Sequence, residues 1–490
     1  MQLAALPDER AERNPGAPAL ADEYNGVLTN AQVLERVEVA AAHLAQAGVG
    51  PGDVVAIKLP NRLELIIALF AAWRLGAAAT PINPTLTPVE VEYQVGDSSA
   101  RVLVAEEASD PVAGATVLTV SALSEASGPT PVTQKADFPA DDVALLIYTS
   151  GTTGRPKGVE LTQSNILAMA QSMGSAMKLD ADSHSLLILP LFHVNGIVVS
   201  VLSPLLAGGR ATVAGRFSPK TFFDIVEDVQ PTYFSAVPAM YSMLAALPAE
   251  VKPRTDSIRF AVCGAAPMPV ELINAFESRY NIPIVEGYGL SEGTCATTSN
   301  PVEGVRKPGT VGLPLPGQRV AIMNGHGELL PAGESGEVVV SGPTVMRGYL
   351  NRPEETAATI IDGWLHTGDI GYLDADGYLT LVDRAKDMII RGGENIYPKE
   401  IESVIYSHPD VLEAAVVGRP DPVYGEVPVA FVSFREGASL TTDELQKHLM
   451  DQLAKYKLPA EIVKLGEVPK NPVGKIDKPT LRRRFAAPAG

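Results

Sequence analysis

The sequence predicts an α/β protein: a large N-terminal α/β domain that includes a β-rich subdomain, followed by a small α+β C-terminal domain. Three observations carry this. Short β-like runs alternate with helical patterns over most of the chain. From about Arg319 the texture turns to hairpins, with the turn dipeptides Asn324-Gly325 and Asp376-Gly377 beside the β-rich runs Gly336 to Ser341 and Tyr378 to Val382. After Arg384 the pattern changes again. A length of 490 residues accommodates these parts at roughly 100–200 residues per domain.

In chain order, Leu63 to Leu75 reads as a helix, because Leu63, Ile66, Ile67 and Phe70 share a face. Asn61 is placed to cap it, with Glu64 three residues on, and Gly76 to stop it. Val143 to Tyr148 is continuously apolar between polar loops, which suits a strand buried on both faces. Beyond Arg384, Ile401, Val404 and Ile405 mark a short helix after Pro398, and Val411 to Val417 and Val427 to Phe434 read as strands. Thr441 with Glu444 opens a helix expected to end near Lys455. The expected domains are 1–384 and 385–490, with the boundary in Asp383 to Asp387 and a loose tail from Ala486 to Gly490.

Composition excludes several classes. Lys plus Arg is 39 and Asp plus Glu is 57, a net charge of −18, which argues against nucleic acid or an anionic membrane as the main partner. Any polyanionic ligand must therefore meet local positive charge. Two cysteines, Cys263 and Cys295, preclude a disulfide framework or Cys-rich zinc site and fit a reducing compartment. Met1 to Arg13 mixes charged and apolar residues, unlike a secretory signal. Leu63 to Ala72 runs into Arg74, and Val194 to Ala207 contains Gly196 and Pro204, so neither reaches the ~18 apolar residues of a spanning helix. The expectation is a soluble cytoplasmic protein without an integral membrane segment.

The most informative segment follows the buried strand: Tyr148-Thr149-Ser150-Gly151-Thr152-Thr153-Gly154-Arg155-Pro156-Lys157-Gly158. Its glycines admit close backbone approach, its hydroxyls supply donors that reorient, and Arg155 and Lys157 add fixed charge. Such a loop suits the β- and γ-phosphates of a nucleotide. It is not a P-loop, since Lys157 lies three residues after Gly154 and Gly158 replaces the hydroxyl that would hold Mg2+. A polar Gly-rich surface loop is the bland alternative, and the density of glycines, hydroxyls and cations weighs against it. A kinase-like phosphotransferase is the competing reading on these residues alone.

Tyr148 to Gly158 resembles the phosphate-loop motif of the AMP-forming acyl-CoA synthetase family, the adenylate-forming superfamily that also holds luciferase and peptide-synthetase adenylation domains. Further segments match in order over nearly the whole chain. In Glu286-Gly287-Tyr288-Gly289-Leu290-Ser291-Glu292, Gly287 and Gly289 would let adenine approach the backbone, Tyr288 would stack on it, Ser291 would donate to a phosphate and Glu292 would bind Mg2+. Ser291 stands where the family usually has Thr. Gly264, Ala265 and Ala266 form a small-residue turn that the resemblance places beside adenine and the acyl group. Asp369, read as a hairpin-end residue, resembles the carboxylate that accepts both ribose hydroxyls. Arg384 resembles the ribose- and phosphate-contacting Arg, Lys386 the hinge, Gly392 and Gly393 the pantetheine-channel loop, and Lys475 the catalytic lysine. His193 matches a position bordering the acyl pocket, with Asn195, Val198, Pro238, Ala239, Ala265, Gly287, Gly289 and Thr294 as its other expected lining.

The resemblance implies a mobile C-terminal lid, ATP, Mg2+ and coenzyme A as cofactors or co-substrates, and a small carboxylic acid as substrate, with a monocarboxylate, fatty or aromatic, favoured. It implies no nucleic acid partner and allows a homodimer. A stand-alone adenylation enzyme that loads a carrier protein is the alternative function. A luciferase-like oxygenase and a binding protein with a dead site are further rivals, the last disfavoured by Lys157, Glu292, Asp369, Arg384 and Lys475.

Overall fold

The computed structural model describes residues 2–124, 129–149, 156–266, 268–384, 387–391, 394–450, 452–470 and 476–485. The chain divides into two compact units, one of Met1–Met268, Leu272–Val320 and Val340–His366, the other of Pro269–Glu271, Ala321–Val339 and Thr367–Gly490. The expected α/β class with a β-rich stretch and a smaller α+β part is what the structure contains.

The first unit holds two large sheets. One runs in the order Leu313–Pro314, Thr298–Ser299, Ile284–Tyr288, Phe260–Cys263, Tyr233–Ala236, His184–Leu187, Arg210–Val213, Pro18–Asp22, Gly26–Thr29. From Ile284–Tyr288 to Pro18–Asp22 the pairing is parallel. Alternation along these strands splits them between two cores. Leu187, Tyr233, Phe260, Val262 and Val285 join one, while Leu186, Phe234, Ala261, Cys263 and Ile284 join the other. Burial on both faces is why these strands read as continuous apolar runs.

The second sheet runs Gly348–Tyr349, Lys157–Thr162, Val143–Thr149, Ala78–Pro81, Val54–Lys58, Val102–Ala105, Thr116–Thr119. The expected buried strand is here, Val143–Thr149, paired with Ala78–Pro81 on one side and Lys157–Thr162 on the other. The first core combines residues of both sheets with the helix Leu63–Arg74, every residue of which is buried.

That helix starts at Leu63 as expected, but its cap is not the expected one. Arg62 holds the N-cap position and makes no capping bond. Asn61 instead reaches back into the loops, donating to Leu189 O (3.0 Å) and Ala214 O (3.2 Å) and accepting from Leu191 N–H. The Leu63 N–H is satisfied by the buried carboxylate of Asp22, at 2.8 Å. The first turn, Leu63 to Ile66, is buried, so its donors need a protein partner, and a distant carboxylate supplies one in place of a local cap. Gly76 does end the helix, at φ 72°. Arg74, fully buried, is compensated by Asp8 (2.9 Å) and Glu38 (3.1 Å).

In the second unit, Gly425–Phe434 pairs with Val411–Asp421, Ile389–Arg391 and Glu461–Lys464. Alternate residues face two small cores, Ala414, Val416, Ala430 and Val432 in one and Ala415, Val417, Val429 and Phe431 in the other. Thr441 and Glu444 form the expected reciprocal cap, but the helix is Thr442–Met450, and Lys455–Lys457 is a separate 3-10 turn. The expected turn at Asn324-Gly325 exists with a different pivot: Asn324 N–H donates to Glu328 O, and the left-handed glycine is Gly327. Among the described residues no helix is long and apolar enough to cross a membrane.

Replacing Asp22 by Ala removes the only carboxylate bonded to the Leu63 amide among the described residues. The expected loss is about 1–2 kcal/mol. It is read from the urea midpoint by tryptophan fluorescence, since Trp73 and Trp364 both belong to the first unit; an unmoved midpoint contradicts the assignment of the cap.

Candidate active site

Four neighbouring parallel strands end at one edge of the first sheet, and each is followed by a segment singled out in the sequence. After His184–Leu187 comes His193; after Tyr233–Ala236, Pro238 and Ala239; after Phe260–Cys263, Gly264 to Ala266; after Ile284–Tyr288, Gly289 to Glu292. Ligands of open parallel sheets lie outside such carboxyl ends. His193 precedes the short helix Val194–Ile197 with its ring 4.4 Å from that of Phe192. Gly264 donates to Ala236 O, Ala265 adopts φ 68°, and a Cβ on Gly264 would stand 3.6 Å from Gly287 O.

The structure revises what some of these residues do. A Cβ on Gly289 would lie 2.1 Å from Cys295 O and 2.5 Å from Ala296 Cα, so the chain itself excludes a side chain there. Tyr288 is only 9% exposed, and its carbonyl takes both Thr297 N–H and Thr297 Oγ1–H. Glu286 is buried and accepts from Gly309 N–H at 3.3 Å. Thr294 and Val198 are buried; Thr294, at φ 57°, commits its hydroxyl to Thr344 O. Asn195 Oδ1 accepts from Ser235 Oγ at 3.3 Å, and burial pushes the nearby Cys295 thiol up to about 12.

Around the phosphate loop the register pairs Thr149 with Lys157 and Tyr148 with Gly158, so residues 150–156 connect adjacent antiparallel strands. Gly158 is small because the Tyr148 ring crosses it, 3.3 Å from where a Cβ would be. Tyr148 donates to Asp97 Oδ2 at 2.8 Å, and burial together with that carboxylate holds the phenol protonated well above its ordinary range. Asp97 Oδ1 also receives Arg352 Nη2 at 3.2 Å. Lys157 pairs with Glu355 and lies 5.0 Å from the centroid of the Tyr349 ring. The Tyr349 hydroxyl donates to Glu292 Oε1 at 2.9 Å. Glu292 sits in the 3-10 turn Ser291–Gly293, and its carbonyl accepts from Met346 N–H at 2.8 Å.

Glu292 is thus one carboxylate with one oxygen engaged. Magnesium takes one or two carboxylates and fills its remaining positions with water and phosphate oxygens. Among the described residues no group of three or more His, Cys, Asp or Glu forms a metal cage. This donor set fits a magnesium ion carried by a nucleotide.

In the second unit, Asp369 is buried inside the ten-residue strand Trp364–Leu373 rather than at a turn, and its backbone register partner is Arg384. On either side of residues 471–475, Lys470 and Ile476 form a β-bridge and Asp477 N–H donates to Pro469 O. The helix after it, Lys478–Arg483, is tied down by Arg482 to Asp387 (2.6 Å) and Lys478 to Glu402 (2.8 Å). Ser150, Gly151, Thr152, Thr153, Gly154, Arg155, Lys386, Gly392, Gly393 and Lys475 lie outside the described residues, as does the tail from Ala486. The sequence reading missed Tyr349, Arg352, Glu355 and Asp97. The one local signal, Tyr349 before the Pro353-Glu354-Glu355 helix start, says nothing about the distant partners.

Residues 7–350 match the model of the AMP-binding enzyme family and residues 400–475 that of the AMP-binding enzyme C-terminal domain. The chain belongs to the AMP-binding enzyme family. It is 37% identical to an oxalate–CoA ligase of Arabidopsis thaliana, over 99% of this chain and 98% of that protein. It is 38% identical to a feruloyl-CoA synthase of an Amycolatopsis species, over 99% of both. Among solved structures it is similar to the o-succinylbenzoate CoA synthetase of Bacillus subtilis in complex with its acyl-adenylate intermediate, with TM-score 0.90 and 32% identity over 100% of this chain and 99% of that one. The same synthetase has been solved with ATP and a magnesium ion.

The glycine geometry gives a test independent of ligand. Gly289→Ala is expected to cost about 1–3 kcal/mol by overpacking. Gly264→Ala, where a Cβ meets only ordinary contact, is expected to leave the thermal midpoint nearly unchanged; equal losses refute the distinction.

Proposed function

We propose that this chain is an AMP-forming acid–CoA ligase, which joins a carboxylic acid to AMP with release of pyrophosphate and then passes the acyl group to the thiol of coenzyme A. The observation that carries the reading is the gathering of four matched segments at one carboxyl edge, in a chain that aligns end to end with acid–CoA ligases.

In the first half-reaction a carboxylate oxygen bonds to the α-phosphorus of ATP and the bond to the bridging oxygen breaks. Two anions must meet, so the barrier is largely electrostatic. No base is needed, because the carboxylic acid is already ionised at pH 7. Lys475 bridges the incoming carboxylate and the α-phosphate. Thr149, Ser150 to Gly154 and Lys157 hold the departing pyrophosphate, with Ser291 as a further donor. Magnesium, with Glu292 as its protein ligand, supplies charge neutralisation when bound. Asp369 takes the ribose hydroxyls, Arg384 assists it, and the segments around Gly264 to Ala266 and Glu286 to Gly289 receive adenine. His193 borders the acid.

In the second half-reaction the thiol sulfur bonds to the acyl carbon and AMP leaves. The reading assigns this step to rotation of residues 385–490 about Lys386, which withdraws Lys475 and brings Gly392 and Gly393 to the thiol. The substrate class proposed is a monocarboxylate, fatty or aromatic. The acids of the two relatives, oxalate and ferulate, differ too much for either to be transferred. A cytoplasmic location and a homodimer belong to the same reading.

A panel of acids assayed for pyrophosphate release with and without coenzyme A tests the function. The expected nucleotide product is AMP, and ADP overturns the reading. A purified carrier protein in place of coenzyme A separates the carrier-loading alternative. Lys475→Ala is expected to lower ATP–pyrophosphate exchange by at least roughly 100-fold. The same variant largely spares thioester formation from supplied acyl-adenylate; unchanged exchange removes Lys475 from the role.

A further inference from the structure

The polar groups that flank the phosphate loop and the metal-binding turn are joined through one short segment that the mechanism does not use. Tyr349 contributes its hydroxyl to Glu292 Oε1 and its ring face to Lys157. Glu355 contributes its carboxylate to Lys157. Arg352, between them, bonds Asp97, which in turn receives the Tyr148 hydroxyl at the start of the loop. The segment is itself held firmly. Gly348–Tyr349 pairs with Lys157–Thr162, Tyr349 N–H donates to Thr356 Oγ1 at 2.9 Å, and Leu350 N–H donates to Gly158 O at 2.8 Å.

On the reading that Glu292 and Lys157 serve MgATP, we propose that Tyr349–Glu355 is a positioning element for the adenylation site: Tyr349 aims Glu292 at the metal, and Glu355 holds Lys157 until the polyphosphate displaces it. The Tyr349 bond commits one carboxylate oxygen of Glu292 and leaves the other for the ion, as outer-shell donors do for metal-ligating carboxylates. The phenol can give that bond while its ring lies over Lys157. Glu355 acts in the opposite direction. The Lys157 side chain is 16% exposed and already neutralised, so an arriving phosphate must exchange with a carboxylate rather than with water. This spares an acidic chain an uncompensated ammonium and costs it nucleotide affinity.

Calorimetric titration of the full chain with ATP, with and without Mg2+, separates the two roles without relying on turnover. Wild type is expected to bind ATP more tightly with Mg2+ present. Tyr349→Phe is expected to lose about 10-fold or more of that magnesium-dependent gain while binding ATP alone as wild type does. Glu355→Gln is expected to bind ATP several-fold more tightly even without Mg2+, the opposite of what a merely structural lesion does. A Tyr349→Phe variant with the full magnesium gain, or a Glu355→Gln variant with unchanged or weaker ATP binding, overturns the proposal. Thermal midpoints of both variants identify a folding defect, and Glu355→Asp restores wild-type affinity if the carboxylate is the competing group; failure of that rescue counts against it. Failure of wild type itself to bind ATP would instead refute the ligase reading.

Discussion

Two anions must be brought together by a protein that is itself an anion. With 57 acidic residues against 39 basic ones, the distant field opposes both a carboxylic acid and a nucleotide polyphosphate. Screening decides how much that matters. Charges more than about 8–10 Å away through salt water are largely silent, whereas a single ammonium 4 Å from a phosphate contributes about 4 kcal/mol at an effective dielectric of 20. The balance at the site is therefore set by a few nearby groups and by what each is already bound to. Lys157 and Arg352 are cations held on carboxylates, those of Glu355 and Asp97. Their charge is kept in place by partners that a stronger anion can replace.

The fold supplies the geometry for this. Parallel pairing makes consecutive strands end at the same edge, and the loops that leave that edge carry His193, Pro238, Gly264 and Gly289 regardless of their separation in the chain. Strands buried on both faces cannot shift register without exposing one core or the other, since Leu186 and Leu187 already serve two different clusters. The edge is rigid for the same reason that its strands are apolar. The backbone strain present at the site, φ 57° at Thr294 and φ 99° at Cys295, lies immediately after the 3-10 turn Ser291–Gly293 and is held by the Thr294 bond to Thr344 O. A sharp reversal there is what brings Cys295 and Ala296 against Gly289, and it leaves no room for a side chain at that position.

What the sequence made legible was what local pattern encodes. The buried strand Val143–Thr149, the reciprocal cap of Thr441 and Glu444, and the strand that begins at Val411 all follow from patterns within a dozen residues. The motifs that carry the family resemblance were equally readable, because they are contiguous. The cap of the helix that starts at Leu63 was not, since it is Asp22, 41 residues away. Nor was the setting of Asp369, which looks like a turn residue beside Gly368 yet stands opposite Arg384 in a paired strand.

Tyr349 and Glu355 show why the remaining part of the site escapes a linear reading. Tyr349 bonds a carboxylate 57 residues away, and Glu355 a lysine in another strand of the chain's first third. Neither lies in a motif with a chemical signature; a tyrosine and a glutamate near a helix start are ordinary. Their importance arises only from the antiparallel pairing of Gly348–Tyr349 with Lys157–Thr162, which places them between the phosphate loop and the Glu292 turn. A short edge strand of two residues does this without a large core of its own, because Leu350 and Arg347 bond the neighbouring backbone on either side of it. The groups that touch substrate can be recognised one by one, while the groups that aim them exist as a site only after the sheet has formed. On the proposed reading, the aim of the Glu292 carboxylate rests on a hydrogen bond from Tyr349 that no contiguous motif encodes.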